Sequence, residues 1–222
     1  MIQFQNVTKS FRTGNTRKVV ADNINVTFPT GRIVGLLGRN GAGKSTMMNM
    51  IGGTMNPDRG RVRTTGTVSW PVGLSGGFHR DMTGAQNTRF IARVYGVDSD
   101  DLLAFVEDFA ELGGHFHEPI RNYSSGMKSR LAFGVSVGIP FDTYLVDEVT
   151  AVGDAIFKRK SRLVFMHRMM TAGAVMVSHS MGQIRQMCNA GAVLEHGRLT
   201  FFDDIEEAIE AHHRNMGTGE ED

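Results

Sequence analysis

A glycine-rich stretch near the N-terminus constrains the fold of this chain more than any other feature. Residues 38–45 read Gly-Arg-Asn-Gly-Ala-Gly-Lys-Ser and match the phosphate-loop pattern G-x-x-x-x-G-K-[ST] at every specified position. The apolar run at residues 33–37 is typical of a strand buried on both faces, and residues 44–51 are apolar at helical spacing. Because a strand, the loop and a helix follow one another in the order this motif requires, they predict an α/β phosphate-loop (P-loop) NTPase core.

The residue types in this stretch suit the phosphates of ATP. Glycines let the backbone approach the phosphates and aim its N–H groups at them, and the helix that follows adds the positive end of its dipole. We expect Lys44 to reach the β- and γ-phosphates and the Ser45 hydroxyl to bind Mg²⁺. The residues predicted to bind ATP in this stretch are Gly38, Arg39, Asn40, Gly41, Ala42, Gly43, Lys44, Ser45 and Thr46.

Two acidic residues end a second apolar run, and a histidine follows a third. Residues 142–148 read Asp-Thr-Tyr-Leu-Val-Asp-Glu, so a strand would carry Asp147 and Glu148 to its carboxyl edge, beside the phosphate loop. We expect Asp147 to face Mg²⁺ and Glu148 to orient or deprotonate the water that attacks the γ-phosphate. A histidine after a strand, such as His179, is usually a polar cap, but beside the other motifs we predict that it contacts the γ-phosphate. The predicted catalytic residues are Lys44, Glu148 and His179.

The bulk composition excludes several classes of protein. The chain has 222 residues with a formal net charge of +1, which provides no field to attract nucleic acid, and we expect no nucleic-acid partner. A single cysteine, Cys188, excludes an internal disulfide and fits a reducing compartment. We find neither a signal peptide nor the roughly 18–20 apolar residues of a membrane span, so we expect any membrane role to come through a partner.

The pattern of the sequence changes twice along the chain. Alternating apolar and polar residues at 2–7 and 24–28 predict an antiparallel β portion at the N-terminus. Helical patterns prevail over residues 72–138 and include a capping box at Thr83 and Gln86. We therefore predict a core at about 1–71 and 139–216, an inserted helical subdomain at about 72–138 and a loose tail at 217–222.

Together these motifs resemble an ATP-hydrolysing subunit of the ABC transporter family, and the resemblance runs along nearly the whole chain. That family has a signature, L-S-G-G-Q, which opens a helix shortly before the Asp-Glu strand. Residues 74–78 (Leu-Ser-Gly-Gly-Phe) match four letters but come too early, before the helical insert. Residues 123–127 (Tyr-Ser-Ser-Gly-Met) match only the serine and the second glycine, yet Gly126 lies 21 residues before Asp147, which is the family spacing. The resemblance implies that Ser124 and Gly126 contact the ATP held by a second copy of the chain.

Other positions match the family or depart from it. Phe11 stands where an aromatic ring stacks on adenine in the family, with a core phenylalanine as the alternative. Residues 151–154 (Ala-Val-Gly-Asp) match the loop through which two subunits touch. The family's glutamine between core and insert is missing, and its position falls at about Leu74 or Ser75. Which side chain senses Mg²⁺ or the attacking water is therefore open.

Within the family, several segments look most like the ATPases that export capsular polysaccharide from Gram-negative bacteria. These segments are Ser69-Trp70-Pro71, the Ser-Gly-Gly-Phe loop at residues 75–78, residues 123–133 and residues 147–154. The resemblance implies an ATP-dependent homodimer that powers two copies of a multi-span membrane permease, with the polysaccharide handled by the complex. It also implies a peripheral place at the cytoplasmic face of the bacterial inner membrane. A related O-antigen or teichoic-acid exporter is the first alternative, and a soluble ABC ATPase without transport is the second.

Overall fold

The computed structural model describes residues 1–14, 16–73, 77–147 and 154–217. The strands in chain order are β1 (Ile2–Thr13), β2 (Thr16–Phe28), β3 (Ile33–Leu37), β4 (Arg59–Thr64), β5 (Val68–Pro71), β6 (Thr143–Asp147), β7 (Ala174–Val177), β8 (Ala190–Glu195) and β9 (Arg198–Phe202). The helices are α1 (Lys44–Ile51), α2 (Gly84–Tyr95), α3 (Ser99–Ala110), α4 (Ser125–Gly138), α5 (Ala155–Thr171), α6 (Met181–Met187) and α7 (Ile205–Gly217), with 3-10 turns at Gly113–His117 and Ile120–Asn122. Among these described helices, none is long and apolar enough to cross a bilayer.

The strands form two sheets. β1 lies between β2 and β4 in an antiparallel three-stranded sheet, and the second sheet has the order β5-β6-β7-β3-β8-β9. In the second sheet β3 runs parallel to both β7 and β8, and β6 runs parallel to β7. All five residues of β3 are buried, as a strand between parallel neighbours requires. The predicted α/β class, with an antiparallel portion at the N-terminus, is confirmed.

The chain divides into two compact units. Unit 1 comprises Met1–Ser69, Phe141–Glu148 and Met169–Asp222, and unit 2 comprises Trp70–Pro140 and Val149–Arg168. The division differs from the expectation in one respect, because residues 149–168, which include most of α5, belong to unit 2. The domain boundaries near residues 72 and 138 stay a prediction.

The core of unit 1 fixes the helix that follows the phosphate loop. In α1 the side chains of Met47, Met48 and Met50 are each at most 3% exposed, so this methionine cluster is core and not surface. Phe4 and Phe28 pack edge to face in the same core, with ring centroids 5.6 Å apart. Burial of one face of α1 holds its N-terminus at the end of β3.

Unit 2 is built from α2, α3 and α4 with the first part of α5. The predicted capping box at the start of α2 is confirmed, because Thr83 Oγ1 accepts from the Gln86 N–H at 3.0 Å and Gln86 Oε1 accepts from the Thr83 N–H at 3.0 Å. Phe109 of α3 stacks on Phe133 of α4, with ring centroids 5.9 Å apart. These contacts give the helical unit its own apolar core.

Candidate nucleotide site

The phosphate loop connects β3 to α1 through three glycines in the left-handed region. Gly38, Gly41 and Gly43 have φ values of 153°, 76° and 112°. A Cβ atom built on Gly38 would lie 2.5 Å from the Leu194 carbonyl oxygen, and one on Gly43 would lie 2.9 Å from Val20 Cβ. Only glycine satisfies both the dihedral angle and the close approach at these positions. Because Gly43, the residue before α1, has no side chain to cap the helix, the first N–H groups of α1 are left for a ligand.

The loop closes around its own lysine. Lys44 Nζ donates to the Gly38 carbonyl oxygen at 2.6 Å and to the Arg39 carbonyl oxygen at 3.1 Å. Burial lowers the pKa of Lys44 from its usual value, and the nearby Asp147 carboxylate opposes this shift. The ammonium group is therefore held inside the loop at the point where a polyphosphate would lie.

A cavity of about 520 Å³ opens over the phosphate loop, entirely within unit 1. It brings together residues from five places in the sequence: β1, β2, the loop with the start of α1, the end of β6 and the end of β7. The residues that line it are Phe11, Lys18, Val20, Asn40, Gly41, Gly43, Lys44, Ser45, Thr46, Asp147, Val177 and His179. Gly38 and Arg39 instead line a smaller cavity of about 150 Å³, and Ala42 packs against the core of unit 1.

Parallel strands explain why distant residues meet at this cavity. Asp147 is the last residue of β6 and pairs with Val177, the last residue of β7, so the segment that carries His179 leaves the same edge of the sheet. Phe11 is 37% exposed, so the alternative of a core phenylalanine is not supported. Its ring lies under the Lys9 ammonium, with 5.5 Å from Nζ to the ring centroid.

The oxygen atoms in the cavity suit magnesium. Ser45 and Asp147 are both exposed and line the same cavity, so one hydroxyl and one carboxylate face the space beside Lys44. Mg²⁺ in nucleotide sites is held by one or two protein oxygens together with phosphate and water. The described residues contain no cluster of three or more His, Cys, Asp or Glu side chains that could hold a metal ion.

The predicted signature residues lie at the N-terminus of α4 in unit 2. Ser124 is the N-cap, and its Oγ accepts from the Met127 N–H at 3.2 Å. The preceding Tyr123 is buried and donates from its hydroxyl to the His115 carbonyl oxygen at 2.6 Å, and burial raises the pKa of Tyr123 to about 12. Among the described atoms outside the backbone of α4, the nearest to a Cβ atom built on Gly126 is Ser124 Oγ, at 3.9 Å.

Some predicted residues lie outside the described ranges, and some cavity residues were not predicted. Glu148, the loop at 151–153, and Leu74 and Ser75 fall on residues that the structure does not describe. Lys18 and Val20 were missed, because a register shift of the β1–β2 ladder at Val20 interrupts the alternation that would indicate their face. They become recognisable only once β2 is known to lie beside the phosphate loop.

Parallel strands at the centre of a sheet, a phosphate loop after one of them and a carboxylate at the end of another define a nucleotide-binding ATPase. The profile of the ABC transporter family matches residues 21–151, so the chain belongs to that family and is an ABC-type ATPase. It is 45% identical to the polysialic acid transport ATP-binding protein KpsT of Escherichia coli, over 95% of each chain. It is 42% identical to the capsule polysaccharide export ATP-binding protein CtrD of Neisseria meningitidis serogroup B, over 95% of this chain and 97% of that protein.

More distant comparisons agree with this family. The chain is 35% identical to the teichoic acids export ATP-binding protein TagH of Staphylococcus haemolyticus, over 85% of this chain and 72% of that protein. Among solved structures, a dimeric ATP-binding cassette in a post-hydrolysis state, bound to ADP and Pi, has a TM-score of 0.74. At 20% identity, over 92% of this chain and 99% of that one, this likeness concerns the fold. The predicted family and the likeness to capsular polysaccharide export ATPases are confirmed.

Proposed function

We propose that this chain hydrolyses ATP to power the export of a capsule-type polysaccharide through a separate multi-span membrane subunit. The observation that carries the proposal is the identity of 45% and 42%, over 95% of this chain, to proteins named for polysialic acid transport and capsule polysaccharide export. Relatives named for teichoic acid export are less similar and match a smaller part of the chain, which makes that alternative the weaker one. We place the complex at the cytoplasmic face of the bacterial inner membrane, with this subunit attached through the permease.

In the nucleotide cavity each residue has a distinct task. Lys44 and the N–H groups at the start of α1 bind the β- and γ-phosphates, and the Phe11 ring stacks on adenine. Ser45 and Asp147 would hold Mg²⁺, which when bound neutralises charge on the phosphates. His179 contacts the γ-phosphate side of the cavity. Glu148, outside the described residues, would follow Asp147 as the group that accepts a proton from the attacking water.

The active unit is a homodimer in which each ATP lies between the phosphate loop of one copy and the signature residues of the other. Ser124 suits this task, because its Oγ accepts the bond from Met127 while its O–H remains able to donate to a phosphate oxygen. Gly126 adds a close approach, since it has no side chain of its own to hold a ligand away from its backbone. Two such subunits would serve two copies of the permease.

Export is tested in a strain that lacks the gene and carries either the wild-type protein or Lys44→Ala. We expect the deletion and the variant to synthesise polysaccharide but retain it inside the cell, and the wild type to restore it at the surface. The measurement is antibody or lectin labelling of intact against permeabilised cells. Unchanged surface polysaccharide in the deletion strain, with failure to transport another solute, would contradict the proposed substrate and leave the ATPase assignment intact.

A further inference from the structure

Strand β2 lies along the phosphate loop, and one cation on it is directed at the loop. Val20 contacts the position of Gly43, where a Cβ atom would lie 2.9 Å from Val20 Cβ. Two residues earlier, Lys18 contacts the position of Gly41, where a Cβ atom would lie 3.3 Å from Lys18 Nζ. Both side chains of β2 therefore lie against the phosphate loop, with Val20 buried and Lys18 exposed.

Lys18 also shares the cavity with the predicted adenine contact. In the antiparallel ladder Phe11 pairs directly with Lys18, which places both side chains on one face of the sheet. Both residues line the cavity of about 520 Å³ together with Lys44. Lys18 therefore lies between the place for the base and the loop for the phosphates.

Two other cations of this hairpin, Lys9 and Arg17, have protein partners. Lys9 pairs with Asp58 at 2.9 Å, and Arg17 Nε donates to Ser10 Oγ at 2.9 Å. Within the described residues Lys18 has no ion pair or hydrogen bond of its side chain to a partner, and it is exposed to the cavity. A lysine on the rim of a phosphate site with no protein anion beside it is available for an anionic ligand.

We propose that Lys18 is a second phosphate-binding cation, which contacts the part of the phosphate chain that ATP and ADP share. This inference rests on the proposed nucleotide site and adds a residue that the phosphate-loop motif does not contain. Lys44 binds from within the loop, where the Gly38 and Arg39 carbonyl oxygens hold it, whereas Lys18 acts from β2. The flexible stem of a lysine lets the ammonium move from Gly41 to a bound phosphate without a change in the strand.

The test measures the affinity of the full-length protein for fluorescent ADP and ATP analogues, and hydrolysis is not part of the measurement. We expect Lys18→Met to weaken the affinity for each analogue by about tenfold, the size of one charge-assisted contact at an exposed site. Lys18→Arg, which keeps the charge, should stay within about twofold of the wild-type affinity. Arg17→Met is the matched control, because it removes an equal charge from the neighbouring position of the same strand. It should bind both analogues as the wild type does, and the Lys18→Met effect should shrink at high salt.

The possible failures are distinguishable. If the wild type binds ADP and Lys18→Met binds it equally well, the role of Lys18 is overturned and the nucleotide site stands. Equal weakening in Arg17→Met and Lys18→Met would also overturn it, since general electrostatics would then explain the loss. A wild-type protein that binds neither analogue would overturn the proposed function itself. Thermal unfolding without nucleotide should give the same midpoint for the wild type and all three variants, because neither side chain is buried.

Discussion

The phosphate loop and the signature segment both place glycine and serine at the start of a helix, yet the two regions use these residues differently. The loop needs its glycines for its own conformation, because Gly38 and Gly43 have positive φ values and no room for a Cβ atom. The signature segment does not need Gly126 in this way, since the nearest described atom outside the backbone of α4 lies 3.9 Å from an added Cβ. Gly126 therefore leaves room for a close approach to its backbone, and we predict that a nucleotide bound by a second copy makes this approach.

The helix caps show the same contrast. α1 follows Gly43, which offers no capping side chain, whereas α4 is capped by Ser124 through a 3.2 Å hydrogen bond. In the uncapped helix α1, the first N–H groups can bind a ligand that is held by the same chain. In the capped helix Ser124 Oγ already accepts one of the first N–H groups, and the Ser124 O–H is still able to donate. This difference leads us to assign the two regions to opposite sides of a shared nucleotide, and the following predictions test it.

The largest effect is expected from Lys44→Ala, which removes the cation held within the loop. ATP hydrolysis should fall by at least about a hundredfold, because the β- and γ-phosphates lose their main positive partner. The measurement is phosphate release at saturating ATP, with exposed Lys158→Ala in α5 as the control. Normal turnover in Lys44→Ala would show that the loop is not the site of hydrolysis.

The second prediction asks whether ATP joins the two regions across two copies. Glu148→Gln keeps the shape of the side chain but cannot accept the proton, so ATP should bind and remain intact. The variant should then form a dimer only in the presence of ATP, because the bound nucleotide stabilises the associated state by linkage. Light scattering with and without ATP measures the mass. A monomer at saturating ATP would remove the support for a shared site.

The third prediction compares alanine at the two kinds of glycine. Gly38→Ala should lower the free energy of unfolding by about 1–3 kcal/mol, because a backbone atom blocks the new Cβ and the φ value is strained. Gly126→Ala should keep or raise stability by up to about 1 kcal/mol, as alanine favours the helix. In a Glu148→Gln background, however, Gly126→Ala should weaken the ATP-dependent dimer several-fold. Urea unfolding and analytical ultracentrifugation measure the two quantities.

If Gly126→Ala instead destabilised the monomer as much as Gly38→Ala, the glycine would serve its own chain and the contrast would fail. If Gly126→Ala in the Glu148→Gln background formed the ATP-dependent dimer as strongly as Glu148→Gln alone, Gly126 would have no part in the shared site.

The smallest effect is expected when either of two helix N-caps in unit 2, one a serine and one a threonine, is replaced by alanine. Ser124→Ala and Thr83→Ala each remove an N-cap bond, of 3.2 and 3.0 Å, and each should cost about 1 kcal/mol of stability. Only Ser124→Ala should also lower ATP turnover, by a few-fold, because only that hydroxyl is assigned to a phosphate. Paired urea unfolding and phosphate-release assays separate the two roles. Equal turnover in the two variants would reduce Ser124 to a cap.

The sequence alone determined much of this protein. The phosphate loop, the acidic strand end and the capping box each depend on local physics, since dihedral freedom, helix dipoles and caps are set by residues close together in the chain. These features were therefore predictable from spacing, as were the buried character of β3 and the division into strand-rich and helix-rich parts. The roles of Ser124 and Gly126 come from the family resemblance, and the role of Glu148 comes from its place after Asp147; all three stay predictions.

The tertiary structure decided which distant residues share the cavity. The β1–β2 ladder contains register shifts between Phe4 and Val7, between Val7 and Lys9 and between Lys9 and Ser10, so alternation in the sequence does not reveal which side chains face the loop. Lys18 and Val20 were missed for this reason. Their place depends on long-range packing of β2 against Gly41 and Gly43, and a contact of that kind leaves no local pattern in the sequence.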